Sequence, residues 1–480
     1  MMDGSARLST GTHTAAAAAV YRLSPYPVSP ALVRAVALVK TAAAACNADL
    51  GFLSGEHAAA IESACRRLRA LDDAAIEREI PLDAFQGGAG TSTNMAVNEW
   101  VAAVAAESLG AGNGSIHPLH HVNLHQSTND VMPTALRLHM HDRLSELEHA
   151  VEALQTVLQN GEESYEAVIK PARTQLREAL TTTMGRQYAV WAHAIGRDRW
   201  RCFKARERIR EVNLGATAVG TGAGAPRQYV LTVVRYLQAR TDHAVCRAEH
   251  LGEATANWDG VVEAMEAPRS LAVNIMKIAG DIRLLSSGPN TAVGELSVPP
   301  LLRGSSIMAG KLNPVIPEAA IQIAERVIAN DGLIARLAGR GELELNAFFP
   351  AIAHAVDESL SLITAIVRSL RDYVAQVVPD RERCAEAARR GHAEAVALMP
   401  LLSYEEVEVL MHEADVAGEP LSTYLIRAGL VSREHGELLF SGRNLVALGY
   451  DEALYASVGP TVTTAIRDHL RRHAGSSQGG

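Results

Sequence analysis

The stretch Gly304-Ser305-Ser306-Ile307-Met308-Ala309-Gly310-Lys311-Leu312-Asn313-Pro314 gathers groups suited to handling negative charge. It holds two hydroxyls, two glycines, a lysine and an asparagine, in a loop predicted to run into a helix near Pro317-Glu318. Loop amides are not consumed by a ladder, so they are free to hold an anion. Lys311 adds a point charge and Asn313 adds amide donors. Either serine oxygen can serve as a nucleophile or a base.

Three other polar segments stand out: Gln86-Gly87-Gly88-Ala89-Gly90-Thr91-Ser92-Thr93-Asn94-Met95, His117-Pro118-Leu119-His120-His121-Val122-Asn123-Leu124-His125-Gln126-Ser127-Thr128-Asn129-Asp130, and Lys170-Pro171-Ala172-Arg173-Thr174-Gln175-Leu176-Arg177-Glu178. Taken singly, each has an ordinary explanation as a loop with helix caps. Together they are polar clusters in an alanine-rich chain, and must be satisfied by one another, by water or by a ligand. The glycine run Gly215 to Gly224 invites a dinucleotide reading, but no preceding strand or βαβ setting is predicted for it. His117, His120, His121 and His125 lack a cysteine or carboxylate to complete a metal set, and Pro118 interrupts their first turn. No metal is expected; a polar wall or a subunit contact fits these histidines better.

The elements that must position these segments are helices. Aromatic residues make up 4% of the 480 residues and alanine is abundant, a mixture that favours close-packed helices over sheets. Leu136, Met140, Leu144, Leu147, Val151, Leu154 and Leu158 advance by threes and fours, as do Ile352, Val356, Leu360, Ile363, Val367, Leu370 and Val374. Each series lines one face of an unusually long helix, and two such stripes imply a bundle. Shorter helices are predicted around Val33 to Lys40, Ala58 to Leu71, Glu405 to Glu413 and Thr423 to Ala428. The expected architecture is all-α with three domains: residues 1–128, a central bundle over 129–379, and a small helical domain over 380–480 beyond Pro379-Asp380. The net charge of −9 with no long basic run argues against nucleic acid. No uninterrupted apolar run suggests a membrane span, and the scattered, odd cysteines suggest free thiols in the cytoplasm. The tail Gly475 to Gly480 is expected to be disordered.

The four segments, with Asn213-Leu214-Gly215-Ala216-Thr217-Ala218-Val219-Gly220-Thr221-Gly222 and Leu284-Leu285-Ser286-Ser287-Gly288-Pro289, resemble the aspartase/fumarase superfamily in content and order over residues 30 to 450. The motifs look like the aspartate ammonia-lyase branch rather than fumarase. The resemblance implies a homotetramer built on joined central helices, with each site shared by three subunits. It implies a small dicarboxylate substrate and no metal or organic cofactor. Ser305 would be the general base, with Lys311 and Asn313 gripping the carboxylate remote from proton abstraction. Thr91, Ser127, Thr128 and Ser306 would hold the carboxylate that becomes the aci-acid. Asn129, Thr174 and Gln175 would face the leaving group, and Glu318 matches an acid that partners the third segment.

The chain departs from the family pattern at Ala309, where a proline is usual, and at Ala96, where a second asparagine is usual. The opening segment is reduced to Ser9-Thr10-Gly11-Thr12-His13-Thr14. The third segment ends in Arg177-Glu178 where Gln-Asp is usual. Arginine beside a substrate ammonium is unfavourable, by about 4 kcal/mol at 4 Å with an effective dielectric of 20. Beside a nitro group its fork is favourable. The superfamily that the chain resembles includes nitrosuccinate lyases, and on this argument the chain looks like one of them; the preferred expectation is a carbon–nitrogen lyase releasing nitrite from nitrosuccinate. Aspartate ammonia-lyase activity is the alternative, and an inactive structural homologue the alternative of another class. If Arg177 instead pairs with Glu178 or another acid, the charge argument lapses.

Overall fold

The computed structural model describes residues 11–110 and 115–474. Ser9 and Thr10 of the opening segment, and the Gly475–Gly480 tail, lie outside the described residues. The chain begins with helices α1 (Thr12–Val20), α2 (Pro30–Asp49), α3 (Gly55–Ala70), α4 (Asp73–Glu79) and α5 (Thr91–Ser108). Side-chain oxygens of Ser29, Ser54 and Asp72 accept backbone N–H groups at the starts of α2, α3 and α4. α5 starts differently: Gly90 is left-handed at φ 89°, and a Cβ there would stand 3.0 Å from the Phe349 ring. Only glycine fits both demands.

Two striped helices follow the predicted periodicity. α6 (Thr128–Ser164) has 37 residues, about 55 Å of helix. Its Leu136, Met140, Leu144, Leu147, Val151, Leu154 and Leu158 are all buried. After strands β1 (Ile169–Thr174) and β2 (Arg177–Thr183) come α7 (Met184–Arg208), β3 (Glu211–Val212), α8 (Arg227–Gln238), β4 (Cys246–Arg247), α9 (Leu251–Ala256) and α10 (Asp259–Leu285). Then follow β5 (Leu296–Ser297), α11 (Val315–Ala338), α12 (Phe349–Val374) and β6 (Val378–Pro379). The second stripe, Ile352 to Val374, is buried along α12. α2 and α12 are long and apolar enough to cross a membrane by composition, yet 78% and 61% of their apolar windows are buried inside the protein. They are core helices.

The chain divides into two compact units. Unit 1 comprises Met1–Ala153, Ile195–Lys277 and Ala319–Ser369; unit 2 comprises Leu154–Ala194, Ile278–Glu318 and Leu370–Gly480. Within unit 1 polar ties join the long helices in a closed circuit. His139 of α6 meets Asp357 of α12 at 2.6 Å. Arg206 of α7 pairs with Glu148 of α6. Asn274 of α10 donates to Asp198 of α7 at 2.7 Å, and Arg269 of α10 lies 3.5 Å from Asp331 of α11. Arg326 of α11 closes the circuit on Glu358 of α12 at 2.9 Å. Such pairs contribute little net stability; the apolar stripes supply that, and the ties fix helix register. Burial opposes ionisation of Asp357, but the His139 bond prevails and holds its pKa below the ordinary value.

Unit 2 carries the C-terminal helices α13 (Arg381–Arg390), α14 (Tyr404–Ala417), α15 (Leu421–Arg427), α16 (Arg433–Leu439), α17 (Gly442–Leu445) and α18 (Glu452–Ala474). Ser403 and Glu406 form a reciprocal capping box at α14, and Leu398, Leu410, Leu425, Leu439 and Ile466 are wholly buried in the local core. Strands among the described residues form three two-stranded pairs, so the chain is overwhelmingly helical, as expected. One expectation needs correcting. A short strand does precede the glycine run: β3 pairs in parallel with β4 across α8. The strands are two residues long, too short for a dinucleotide fold, and the run has another use described below.

Candidate active site

In unit 1 the first turns of α5 and α6 meet. Thr91 opens α5, exposed, with its hydroxyl donating to the Gly88 carbonyl at 2.7 Å. One turn on, Asn94 Nδ2 donates to Thr128 Oγ1 at 3.2 Å. Ser127 Oγ accepts the Asn129 amide at 3.2 Å, and Ser127, Thr128 and Asn129 are half-buried. Asn129 is held twice. Its Nδ2 donates to the Ala218 carbonyl at 2.8 Å, and its own carbonyl accepts Asn213 Nδ2 at 2.9 Å. The second bond has a cause in the sequence: Pro133 lies inside α6 four residues later and has no N–H to offer that carbonyl.

Behind this surface lies a buried ion network. Asp130 accepts the amides of Ser127, Gly215 and Thr217, each at 3.0 Å. The glycine run thus does cradle an anion, the carboxylate of its own chain. Burial pushes Asp130 up to about 6, against the pull of those amides and Lys40. Lys40 of α2 is wholly buried, and its Nζ donates to Asn123 Oδ1 at 2.7 Å and Gln126 Oε1 at 3.0 Å. Burial lowers its pKa to about 7, with Asp130 opposing the shift. Asn123 Oδ1 also accepts Asn94 and Asn98, both at 3.3 Å. A chain of bonds therefore runs Lys40–Asn123–Asn94–Thr128.

Unit 2 carries the other site segments. β1 and β2 form a hairpin in which Thr174 faces Arg177 across Gln175 and Leu176. Both turn residues are left-handed, at φ 53° and 62°. Glycine and asparagine favour this conformation; glutamine and leucine there are uncommon and strained. Thr174, Gln175, Leu176, Arg177 and Glu178 are exposed. The base of the hairpin is fixed: Arg173 and Lys170 lie 2.6 and 3.3 Å from the two oxygens of fully buried Glu295. Among the described residues no carboxylate pairs with Arg177.

The serine loop folds onto itself. Ser305 Oγ accepts the amides of Ile307 at 3.2 Å and Met308 at 2.9 Å. Asn313 Nδ2 donates to the Gly304 carbonyl at 2.7 Å. A Cβ on Gly304 would lie 2.0 Å from the Lys311 carbonyl oxygen, so the loop needs glycine there. Its concave side encloses about 650 Å³, lined by Pro300 to Leu312. Ser306 and Lys311 are exposed, and Ile307 is 88% exposed. Glu318 sits in the first turn of α11, near enough to Tyr373 to add to burial in raising that phenol to about 12.

A family model described as a lyase matches residues 10–329 of the chain. The chain belongs to the aspartase/fumarase superfamily. It is 40% identical over 405 residues to aspartate ammonia-lyase of Pseudomonas aeruginosa, covering 82% of this chain and 84% of that protein. The Escherichia coli aspartate ammonia-lyase is 32% identical over 451 residues, covering 93% of this chain and 94% of that one. Among solved structures, fumarate lyase:delta crystallin from Brucella melitensis bound to cobalt superposes with TM-score 0.87 at 35% identity, covering 91% and 96%. Class II fumarase from Schistosoma mansoni superposes with TM-score 0.84 at 26% identity, covering 92% and 96%.

In this aspartase/fumarase-superfamily enzyme, Thr91, Ser127, Thr128 and Asn129 belong to unit 1. Thr174, Gln175, Arg177, Ser305, Ser306, Lys311, Asn313 and Glu318 belong to unit 2. Sequence reasoning missed Lys40, and gave no role to Asn123 and Asn94 although both lie in the polar segments; together the three position Thr128. A signal existed: Lys40 is the lone cation between Val36 and Ala44, a run otherwise of apolar residues and one threonine.

Proposed function

We propose that this lyase eliminates ammonia from L-aspartate to give fumarate, by serine-base anti-elimination through an aci-carboxylate. The amide cradle around Ser305 Oγ supports the serine base, and the similarity to proteins named aspartate ammonia-lyase over 82% and 93% of the chain supports the substrate. Removing the Cβ proton places two negative charges on one carboxyl group. Each preorganised donor aimed at that charge contributes about 3 kcal/mol, roughly a hundredfold in rate. Ser305 takes the proton, and the Ile307 and Met308 amides stabilise its alkoxide. Thr91, Ser127, Thr128 and Ser306 receive the developing dianion. Lys311 and Asn313 grip the remote carboxylate, Asn129, Thr174 and Gln175 face the departing amine, and Glu318 supports the hairpin segment. Closure of the loop over substrate would cover Ile307, which is otherwise left in water. No cofactor takes part in these steps.

The site is completed in a homotetramer, three subunits contributing to each. Exposed Trp200 and Phe203 on α7, with Val273 on α10, support burial of these helices against further copies. The three-domain division at residues 128 and 379 and a cytoplasmic location belong to the same reading; the five cysteines are free thiols.

A second reading, nitrite release from nitrosuccinate, is favoured by one observation: exposed Arg177 at the hairpin tip has no ion pair among the described residues. Purified protein is given L-aspartate while fumarate absorbance is followed, and separately fumarate with ammonia or with nitrite. Fumarate from aspartate and consumption of ammonia are expected. Consumption of nitrite alone would assign the second reading. No turnover of any succinate derivative would overturn both and leave an inactive homologue.

A further inference from the structure

His141 and Asp142 are consecutive on α6, and His243 lies between α8 and β4, all within unit 1. One ring nitrogen of each histidine and a carboxylate oxygen of Asp142 lie within 4.8 Å of one another. The two imidazole rings lie with centroids 4.1 Å apart, tilted 42° to one another, and His243 Nε2 is 3.0 Å from Asp142 Oδ1. His141 Nδ1 is buried with no hydrogen-bond partner among the described residues. An orphaned buried nitrogen is unfavourable unless something accepts its lone pair or its proton.

We propose that His141, Asp142 and His243 bind a divalent transition ion, zinc by chemical class. Two neutral imidazoles and one carboxylate are the ligand set borderline metals favour, with a fourth position left for water. Ligand atoms on a tetrahedral zinc stand about 3.3 Å apart, for bonds of about 2.0 to 2.1 Å. Small side-chain rotations from the present geometry therefore reach it. The nearby cations are already engaged: Arg206 pairs with Glu148, and Arg210 lies 2.5 Å from Glu207. The ion would tie the segment between α8 and β4 to α6, bridging residues about a hundred positions apart. Its role is structural and independent of the lyase chemistry.

The test is calorimetric titration of ZnCl₂ into chelator-treated full-length protein, with thermal melting alongside. One site per chain and a zinc-dependent rise in Tm are expected. Asp142→Ala and His243→Ala, at partly exposed positions, should each weaken zinc binding at least about tenfold and remove the Tm rise. His141→Gln should do the same while keeping its circular dichroism. The histidine group His117, His120 and His121 supplies the control, since His117 and His120 rings also approach to 4.4 Å. His121→Ala should leave zinc binding unchanged. Failure of wild-type protein to bind, or binding lost in His121→Ala but kept in His243→Ala, would overturn the assignment.

Discussion

The wholly buried Lys40 ammonium donates to Asn123 Oδ1 at 2.7 Å. The same oxygen receives Asn94, whose amide also reaches Thr128. A hydroxyl assigned to the substrate carboxylate is thus positioned by a cation buried behind it. Asn123→Ala leaves that ammonium short of an acceptor and is expected to destabilise the fold by about 1–3 kcal/mol. The urea midpoint measures this, and an unchanged midpoint would detach Lys40 from the network.

Lys40 and Asp130 make stability depend on pH in opposite senses. Lys40 is lowered from 10.5 to about 7, so the unfolded chain binds more protons between these values and stability rises with pH there. Asp130 is raised from 3.8 to about 6, so its stabilising contribution is complete below 3.8 and is lost as pH rises through about 6. Lys40→Met should flatten the rise above pH 7, and Asp130→Asn the fall below 6. Denaturant titrations across pH give the two slopes.

Ser305→Ala is expected to lower kcat for aspartate by about 10²–10⁴ with KM little changed, the range for a lost general base. A variant retaining near-normal kcat would remove Ser305 from proton abstraction.

Gly304→Ala places a methyl 2.0 Å from the Lys311 carbonyl oxygen. The loop is exposed, so melting temperature should hold while activity falls at least about tenfold, through misplacement of Ser305. Equal losses of activity and stability would mean that the loop also supports the fold.

Arg177→Gln tests the charge argument at the hairpin tip. If the guanidinium faces the leaving group, kcat/KM for aspartate rises, by at most about a thousandfold for full relief of 4 kcal/mol. An unchanged preference between ammonia and nitrite makes Arg177 a surface residue.

The periodic helices were readable because burial repeats with the helical turn: every member of the Leu136 and Ile352 series is in the core. The serine loop was readable because its composition suits no ladder. Long-range convergence was less accessible. Nothing local says that Gly215 and Thr217 will hold Asp130, or that His243 will meet His141. The histidines that drew notice, from 117 to 125, are neighbours in sequence, whereas the proposed metal ligands are brought together only by tertiary structure. The expectation of nitrosuccinate rested on one residue at a turn, while the relatives similar over 82% and 93% of the chain are named aspartate ammonia-lyase.

Glu295 clamps Arg173 and Lys170 at the foot of the hairpin, while Gln175 to Glu178 carry no core packing. Mutational drift at the tip therefore meets little folding penalty. If these four positions face the departing group as proposed, its chemistry can be altered there by substitution while the scaffold below stays untouched.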